Sequence, residues 1–400
     1  MLYGALSTLG WLLLFPWAVY SGRRRGTSWS TLLGRCRAPR DLPRQERPAI
    51  WLHAVSAGEV AAAQALVLKM RREDPETPWV ITTGTEAGLA AAKRFYPDIP
   101  AVLAPYDTPW AMHALVCRIN PKALLLAEGD LWYGMICRVA RRKVPIIVVS
   151  GKMSERSAQR WERFSWFSRQ MMKLLRFVCV QDEQAMQRFV RAGVSPESIL
   201  VTGNLKLAMP VKRLSHHELQ QWRQRLNLSE RDRVLLLGST HEPEERLLLQ
   251  ALHPLIQEGW KVLLVPRHPA RKEALQALLQ ELGLDSTQVM LLAEMGILVA
   301  CMQLVNVTIL GGSFVSGIGG HNVWEPVQVG CPVLFGPHHA AQVELAKQVQ
   351  RVHGGECVEA NGLVDAVRRW SSQRIQSEAS QEVLDRTWTV LESMGLLRLS

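Results

Sequence analysis

The sequence predicts an α/β chain of two successive parallel-sheet domains behind an apolar N-terminal anchor. Three observations carry this: the length, two series of short apolar runs alternating with helical patterns, and an uncharged stretch at the start. Four hundred residues exceed what one hydrophobic core covers, so two domains of roughly 150 to 200 residues are expected. The chain is 48% apolar and 21% charged, a globular balance that excludes disorder.

The N-terminal stretch LYGALSTLGWLLLFPWAVY, residues 2–20, carries no charge and leads into Gly22-Arg23-Arg24-Arg25. As a helix it is about one bilayer thick. A cleaved signal peptide places its positive charges before the apolar run, and here the order is reversed. Residues 1–22 are therefore expected to anchor the chain, spanning the bilayer or, given Pro16 and the tryptophans, lying in its interface. The arginines that follow predict that the remainder stays on the cytoplasmic side. An apolar helix packed on the body is the alternative. Residues 23–47, with arginines at 23, 24, 25, 35, 37, 40, 44 and 47, read as a basic linker that either meets anionic head groups or is simply solvated.

From residue 48 the strand signals begin. Apolar, β-branched runs at 49–55, 79–83, 101–104, 123–127, 145–149, 177–181 and 199–202 alternate with longer helical patterns, the signature of βα units. The pattern lapses near 207–232, then resumes with RVLLLGS, KVLLVPR, VMLLA, VTILGG and PVLFG. The predicted division is a first Rossmann-like domain at 48–207, a linker at 208–232 and a second Rossmann-like domain at 233–400, facing each other across a cleft.

Composition narrows the partner. A net charge of +11 and a pI near 9.6 favour an anion, whether nucleic acid, lipid surface or phosphorylated substrate. Nucleic acid loses ground because the basic residues are not interleaved with aromatics. Seven cysteines without a CxxC pair point to reduced thiols in the cytosol. The scattered histidines form no HExxH-type spacing, so no metal is expected.

In open parallel sheets ligands bind beyond the carboxyl ends of the strands. In this chain those ends read HAVSAGEV (53–60), PYD (105–107), AEGDLW (127–132), SGKMSERS (150–157), TGNLK (202–206), GSTHEPEE (238–245), VPRHP (265–269), GGSFVSGIGGHN (311–322) and FGPHH (335–339). Glu59 follows a strand and a Ser56-Ala57-Gly58 turn. It is either a carboxylate stabilising a helix start or a functional acid, and position alone slightly favours the former. The glycines after VTIL give backbone amides close access to a phosphate, with Arg267 and His268 adding charge. This is neither a Walker A loop nor a GxGxxG opening, which argues against nucleotide hydrolysis and dinucleotide chemistry.

Taken in order, HAVSAGEV, PYD, EGDLW, MSERS, TGNLK, STHEPEE, VPRHP, GGHN with Glu325, and PVLFGPH resemble the transferases of 3-deoxy-D-manno-octulosonic acid (Kdo). The resemblance implies a GT-B fold, an acceptor half and a nucleotide-sugar half, and residence at the bacterial inner membrane on its cytoplasmic face. It implies inverting transfer from CMP-Kdo to a lipid A precursor, without metal or other cofactor, with an anionic membrane surface as partner and no nucleic acid. Glu59 matches the catalytic base. Ser56, Gly58, Glu128, Asp130 and Lys206 fall in the acceptor or transition-state region. Ser239, Thr240, Arg267, His268, Met295, Gly296, Gly311, Gly312, Ser313, Gly320, His321, Asn322 and Glu325 match nucleotide-sugar positions. Arg267, Ser313, Lys206 and the amides near Gly311 and Gly312 are the groups expected to neutralise the departing cytidylate. The chain departs from the family pattern at Ala293 and Ile297, where acids are usual, and at Ala208. These losses motivate a second reading, a diverged homologue that binds lipid or nucleotide in envelope assembly without catalysis.

Overall fold

The computed structural model describes residues 34–39, 41–376 and 378–395. The anchor expected at 1–22 and the first part of the basic linker expected at 23–47 lie outside the described residues. Among the described residues no helix is long and apolar enough to cross a membrane. The chain divides into two compact units, Met1–Pro210 with Ala379–Ser400, and Val211–Glu378.

Among its described residues the first unit carries seven strands: β1 (Ala49–His53), β2 (Trp79–Thr83), β3 (Ala101–Leu103), β4 (Pro121–Ala127), β5 (Ile146–Gly151), β6 (Phe177–Val180) and β7 (Ile199–Val201). They lie in the order β3-β2-β1-β4-β5-β6-β7, every pair parallel. Helices cover both faces, which is why β1 reads AIWLH and β4 reads PKALLLA, nearly continuous apolar runs rather than alternating ones. Trp51, Leu124, Val148 and Phe189 are fully buried in its core.

The second unit has six strands: β8 (Val234–Thr240), β9 (Lys261–Pro266), β10 (Val289–Leu291), β11 (Val307–Leu310), β12 (Val333–Phe335) and β13 (Gly355–Cys357). Their order, β10-β9-β8-β11-β12-β13, repeats the first sheet's winding, again all parallel. Leu235, Leu237, Leu264 and Ile309 fill this core. In each sheet the order reverses at a central pair, β1 beside β4 and β8 beside β11. The loops leaving such a pair diverge to opposite sides and open a crevice.

Two domain expectations are corrected. The second domain does not run to residue 400, because the helix Ala379–Ser393 belongs to the first unit. It is held there by Lys69 Nζ on Asp385 Oδ1 at 2.7 Å and by the Ser380 hydroxyl donating to Leu207 O at 2.6 Å. Residues 208–232 are not merely a linker either. They contain the helix His216–Arg225, capped by a reciprocal Ser215–Glu218 box and joined to the second unit by the Arg225–Glu294 ion pair. Cys117, Cys137, Cys179, Cys301, Cys331 and Cys357 are free thiols.

Candidate functional site

In the first unit the switch-point loops carry acids. After β1 the chain extends through Ser56, which caps the helix Ala57–Ala62. Glu59 sits in the first turn, 9% exposed. Its Oε2 accepts from the Val55 amide at 2.7 Å and its Oε1 from the Ser56 hydroxyl at 2.7 Å. Each oxygen keeps a further lone pair. Burial pushes the Glu59 carboxyl above the usual range, the hydrogen bonds from Ser56 and Val55 pull it back, and the negative charges of Glu128 and Asp130 push it up again. A side chain at Gly58 would meet only Ser56 Oγ, at 3.9 Å, so the body of the unit leaves that position open.

After β4 the backbone turns sharply, with Glu128 at φ 58°, an uncommon angle for a residue with a side chain. A Cβ on Gly129 would lie 2.5 Å from Lys152 O, so the turn admits only glycine there. Glu128 pairs with Lys206 Nζ at 2.7 Å. Burial and the Glu128 charge raise the Asp130 carboxyl. Asp107, from the PYD stretch, accepts the Gly134 and Met135 amides at 2.7 and 2.8 Å and so holds the start of the helix that follows AEGDLW. His53, at the end of β1, is 1% exposed; its Nδ1 lies 2.8 Å from Thr82 Oγ1, which also accepts from Trp51 Nε1 at 2.7 Å. Its ring meets Trp132 edge-on at 5.1 Å, and its Nε2 has no partner. Sequence reasoning passed over His53, although it opens the very stretch that carries Glu59.

In the second unit β8 ends in a register shift, with Ser239 at φ 54°. The next loop delivers Glu244, fully buried, whose Oε1 accepts the His241 and Gly312 amides at 2.8 and 2.6 Å. Gly311 donates its amide to Gly238 O at 2.8 Å. The two amides read from sequence as phosphate donors are therefore engaged within the protein. Ser313 is likewise occupied, donating to Leu310 O at 2.9 Å and accepting the Gly336 amide at 2.8 Å. These three residues shape the loop, and Glu244, which the motif GSTHEPEE contained but sequence reasoning left unassigned, is what holds it.

Arg267 and His268 stand exposed after β9, and the Arg267 guanidinium makes no ion pair among the described residues. His241 and His321 face each other with their Nε2 atoms 2.8 Å apart, and His268 meets His241 edge-on at 5.5 Å. A hydrogen bond between two imidazole nitrogens requires one to lack a proton. Burial and the neighbouring positive groups lower both rings, His321 to about 4. Thr240 Oγ1 is buried without a partner beside them. Asn322 donates to Glu325 Oε1 at 3.1 Å and accepts the Trp324 amide at 3.0 Å, so it does shape a turn. Met295 is 72% exposed, which removes the core reading for it, and Gly296 takes φ 80° beside it. Gly320 takes φ 87°. Ile297 is buried, 7% exposed, at the start of the helix Leu298–Met302. Among the described residues no group of three or more His, Cys, Asp or Glu is placed to hold a metal ion.

Comparison with known proteins decides the family. A family profile described as 3-Deoxy-D-manno-octulosonic-acid transferase (kdotransferase) matches residues 27–209. A 3-deoxy-D-manno-octulosonic acid transferase of Chlamydophila psittaci is 31% identical over 334 residues, 80% of this chain and 76% of that protein. The chain belongs to the Kdo transferase family. A further member from Haemophilus influenzae is 28% identical over 367 residues, 87% of this chain and 84% of that protein. Among solved structures, a glycosyltransferase from Rickettsia africae gives a TM-score of 0.55 at 14% identity, covering 89% of this chain and 100% of that one. UDP-GlcNAc 2-epimerase from Methanocaldococcus jannaschii gives 0.58 at 14%, covering 86% and 99%. These likenesses show the two-sheet, GT-B-like fold alone.

This Kdo transferase is thus a glycosyltransferase whose marked residues lie on loops beyond the carboxyl ends of strands in both sheets. The first-unit group Ser56, Gly58, Glu59, Glu128, Asp130 and Lys206 gathers on the loops leaving β1, β4 and β7. In the second unit Ser239, Thr240, Arg267, His268, Gly311, Gly312 and Ser313 follow β8, β9 and β11, and His321, Asn322 and Glu325 close the glycine loop. Met295 and Gly296 follow β10.

Proposed function

We propose that this enzyme transfers Kdo from CMP-Kdo to a hydroxyl of a lipid A precursor in lipopolysaccharide biosynthesis, with inversion at the anomeric carbon and Glu59 as general base. The observation that carries the reading is Glu59 itself, a largely buried carboxylate locked in place by Val55 and Ser56 and raised above its usual range by burial. An alcohol is a poor nucleophile. Glu59 accepts its proton as the oxygen bonds to the anomeric carbon, and the bond from that carbon to the CMP phosphate oxygen breaks with its electron pair on phosphate.

The first unit takes the acceptor in this reading, with Lys206 and the Glu128–Asp130 turn beside the reacting hydroxyl. The second takes the donor. Arg267 and His268 face the anionic leaving group, and Arg267 makes no ion pair among the described residues. The buried, unpartnered Thr240 hydroxyl and the exposed Met295–Gly296 turn suit the nucleotide. The reading uses no metal, and assigns the developing negative charge to these side chains. It includes the N-terminal anchor and a place on the cytoplasmic face of the inner membrane. Ile297 fits a packing role in the protein body, which weakens the case for a non-catalytic homologue built on its loss of charge.

The test incubates the full chain with CMP-Kdo and a tetraacylated lipid A precursor in detergent. Release of CMP in step with a Kdo-bearing product of inverted configuration supports the reading. CMP binding without turnover makes the protein a binding module.

A further inference from the structure

Ser150 is the last residue but one of β5, at the carboxyl edge of the first sheet, and it is buried. Its backbone takes φ 56°, a left-handed angle that residues with a β-carbon adopt only where their surroundings impose it. The pairing of β5 with β6 shifts register across the same place, between Val148 and Gly151. Serine has no intrinsic preference for that conformation, so its contacts must hold it there.

Those contacts reach both members of one ion pair. Ser150 Oγ accepts the Leu205 amide at 3.1 Å and Gln181 Nε2 at 3.3 Å, and Gln181 Nε2 also donates to Ser150 O at 3.0 Å. Leu205 opens the short helical turn Leu205–Ala208, whose next residue is Lys206, its amide donating to Asn204 Oδ1 at 3.0 Å. On either side of Ser150, Val149 O accepts the Glu128 amide at 3.0 Å and the Lys152 amide donates to Glu128 O at 2.8 Å. The side chains of Glu128 and Lys206 then meet at 2.7 Å. Their loops leave β4 and β7, which are separated in the sheet by β5 and β6. Three inter-strand steps of about 4.8 Å set those strands roughly 14 Å apart. The loops can bring their charges together only if something at the ends of the two intervening strands draws them inward. Ser150 ends β5 and Gln181 follows β6, and their hydrogen bonds fill that gap. The Glu128 charge acts on Glu59 and pushes its carboxyl up, and Lys206 offsets part of that charge.

We propose that Ser150 is a positioning residue for the transfer reaction, its hydroxyl and flanking backbone setting Lys206 and Glu128 in the ion pair beside the proposed base. This deepens the transfer reading and rests on it. The test uses the full chain and Ser150→Gly, because glycine accepts φ 56° freely while lacking the hydroxyl. Relief of the backbone and loss of the hydroxyl act on stability in opposite directions, so the melting temperature stays close to native. Lys206 is half-buried, and its amine is read directly by its rate of acetylation with acetic anhydride, followed by peptide mass spectrometry. Freed from its partner in Ser150→Gly, it is expected to react about threefold faster or more. In steady-state transfer kcat falls about tenfold with KM for CMP-Kdo unchanged, because the pair is displaced from the reacting hydroxyl and not from the donor. Lys206→Met also lowers kcat, and adding Ser150→Gly to it costs nothing further, since both act through one pair. Unchanged acetylation of Lys206 overturns the proposal, as do additive losses in the double variant. A fall in kcat matched by a large fall in melting temperature makes Ser150 merely structural and overturns it too. Absence of transfer by the native chain is failure of the transfer reading, whereas the acetylation rate decides whether Ser150 holds Lys206, so the two failures are told apart.

Discussion

The Ser56 hydroxyl donates to Glu59 Oε1 at 2.7 Å, while the Glu59 amide donates back to Ser56 Oγ at 3.3 Å. One reciprocal pair starts the helix and fixes the acid. The same geometry that stabilises the helix start is the one the proposed base role of Glu59 uses. Because the amide of Val55 binds the second oxygen, the carboxyl plane is set from both ends.

Ser56→Ala removes the cap and one of the bonds that hold the Glu59 carboxyl down. It is expected to cost about 1 kcal/mol of stability. It also shifts the acid limb of the pH profile of kcat upward, because one of the two hydrogen bonds that lower the group is lost while burial and the nearby negative charges, which raise it, remain. Thermal unfolding and rate profiles measure the two effects separately.

Asp130→Asn acts in the opposite direction. Removing a negative charge near Glu59 lowers the pH at which that carboxyl ionises, so the acid limb moves down. An unmoved limb in both this variant and Ser56→Ala would detach Glu59 from the titration that controls rate.

Arg267→Met is expected to lower kcat/KM by roughly 10² to 10³, the usual loss when one charge-stabilising donor is removed. Stability stays near native, since the guanidinium is exposed and makes no ion pair among the described residues. Steady-state kinetics beside a melting curve check both.

Gly311→Ala tests the architecture of the glycine loop. A Cβ there would sit 2.5 Å from Glu244 Oε1 and 2.7 Å from Thr240 Cα. The backbone of Thr240 has no room to yield, so a loss of about 1 to 3 kcal/mol or more is expected in chemical denaturation.

Much of this was legible in the residues. Continuous apolar runs located β1 through β12 because parallel strands covered on both faces need no alternation, and Trp79–Thr83 begins and ends where expected. β13, Gly355–Cys357, was missed because GEC has neither length nor β-branched character. The return of Ala379–Ser393 to the first unit was also hidden, since an amphipathic helix declares an apolar face but not which body it covers. At the candidate site, the strand ends located the loops on which the marked residues lie. What they could not say was that Glu244 would already occupy the Gly312 amide, because a buried acid's partners are set by tertiary placement rather than by spacing.

His53 carries a pH prediction. Burial holds it down to about 4 against an ordinary 6.5, so the unfolded chain takes up a proton that the folded chain refuses. Stability present above pH 6.5 is lost as pH falls toward 4, by about 3 kcal/mol for this group. His53→Gln is expected to flatten the fall in melting temperature across that window.

The most direct measurement is single-turnover transfer by Glu59→Gln at saturating CMP-Kdo and acceptor. The amide keeps the shape of the side chain and the Val55 contact but cannot take a proton, so the rate is predicted to drop by roughly 10² to 10⁴ with CMP affinity unchanged. Transfer at the native rate would contradict Glu59 as the base.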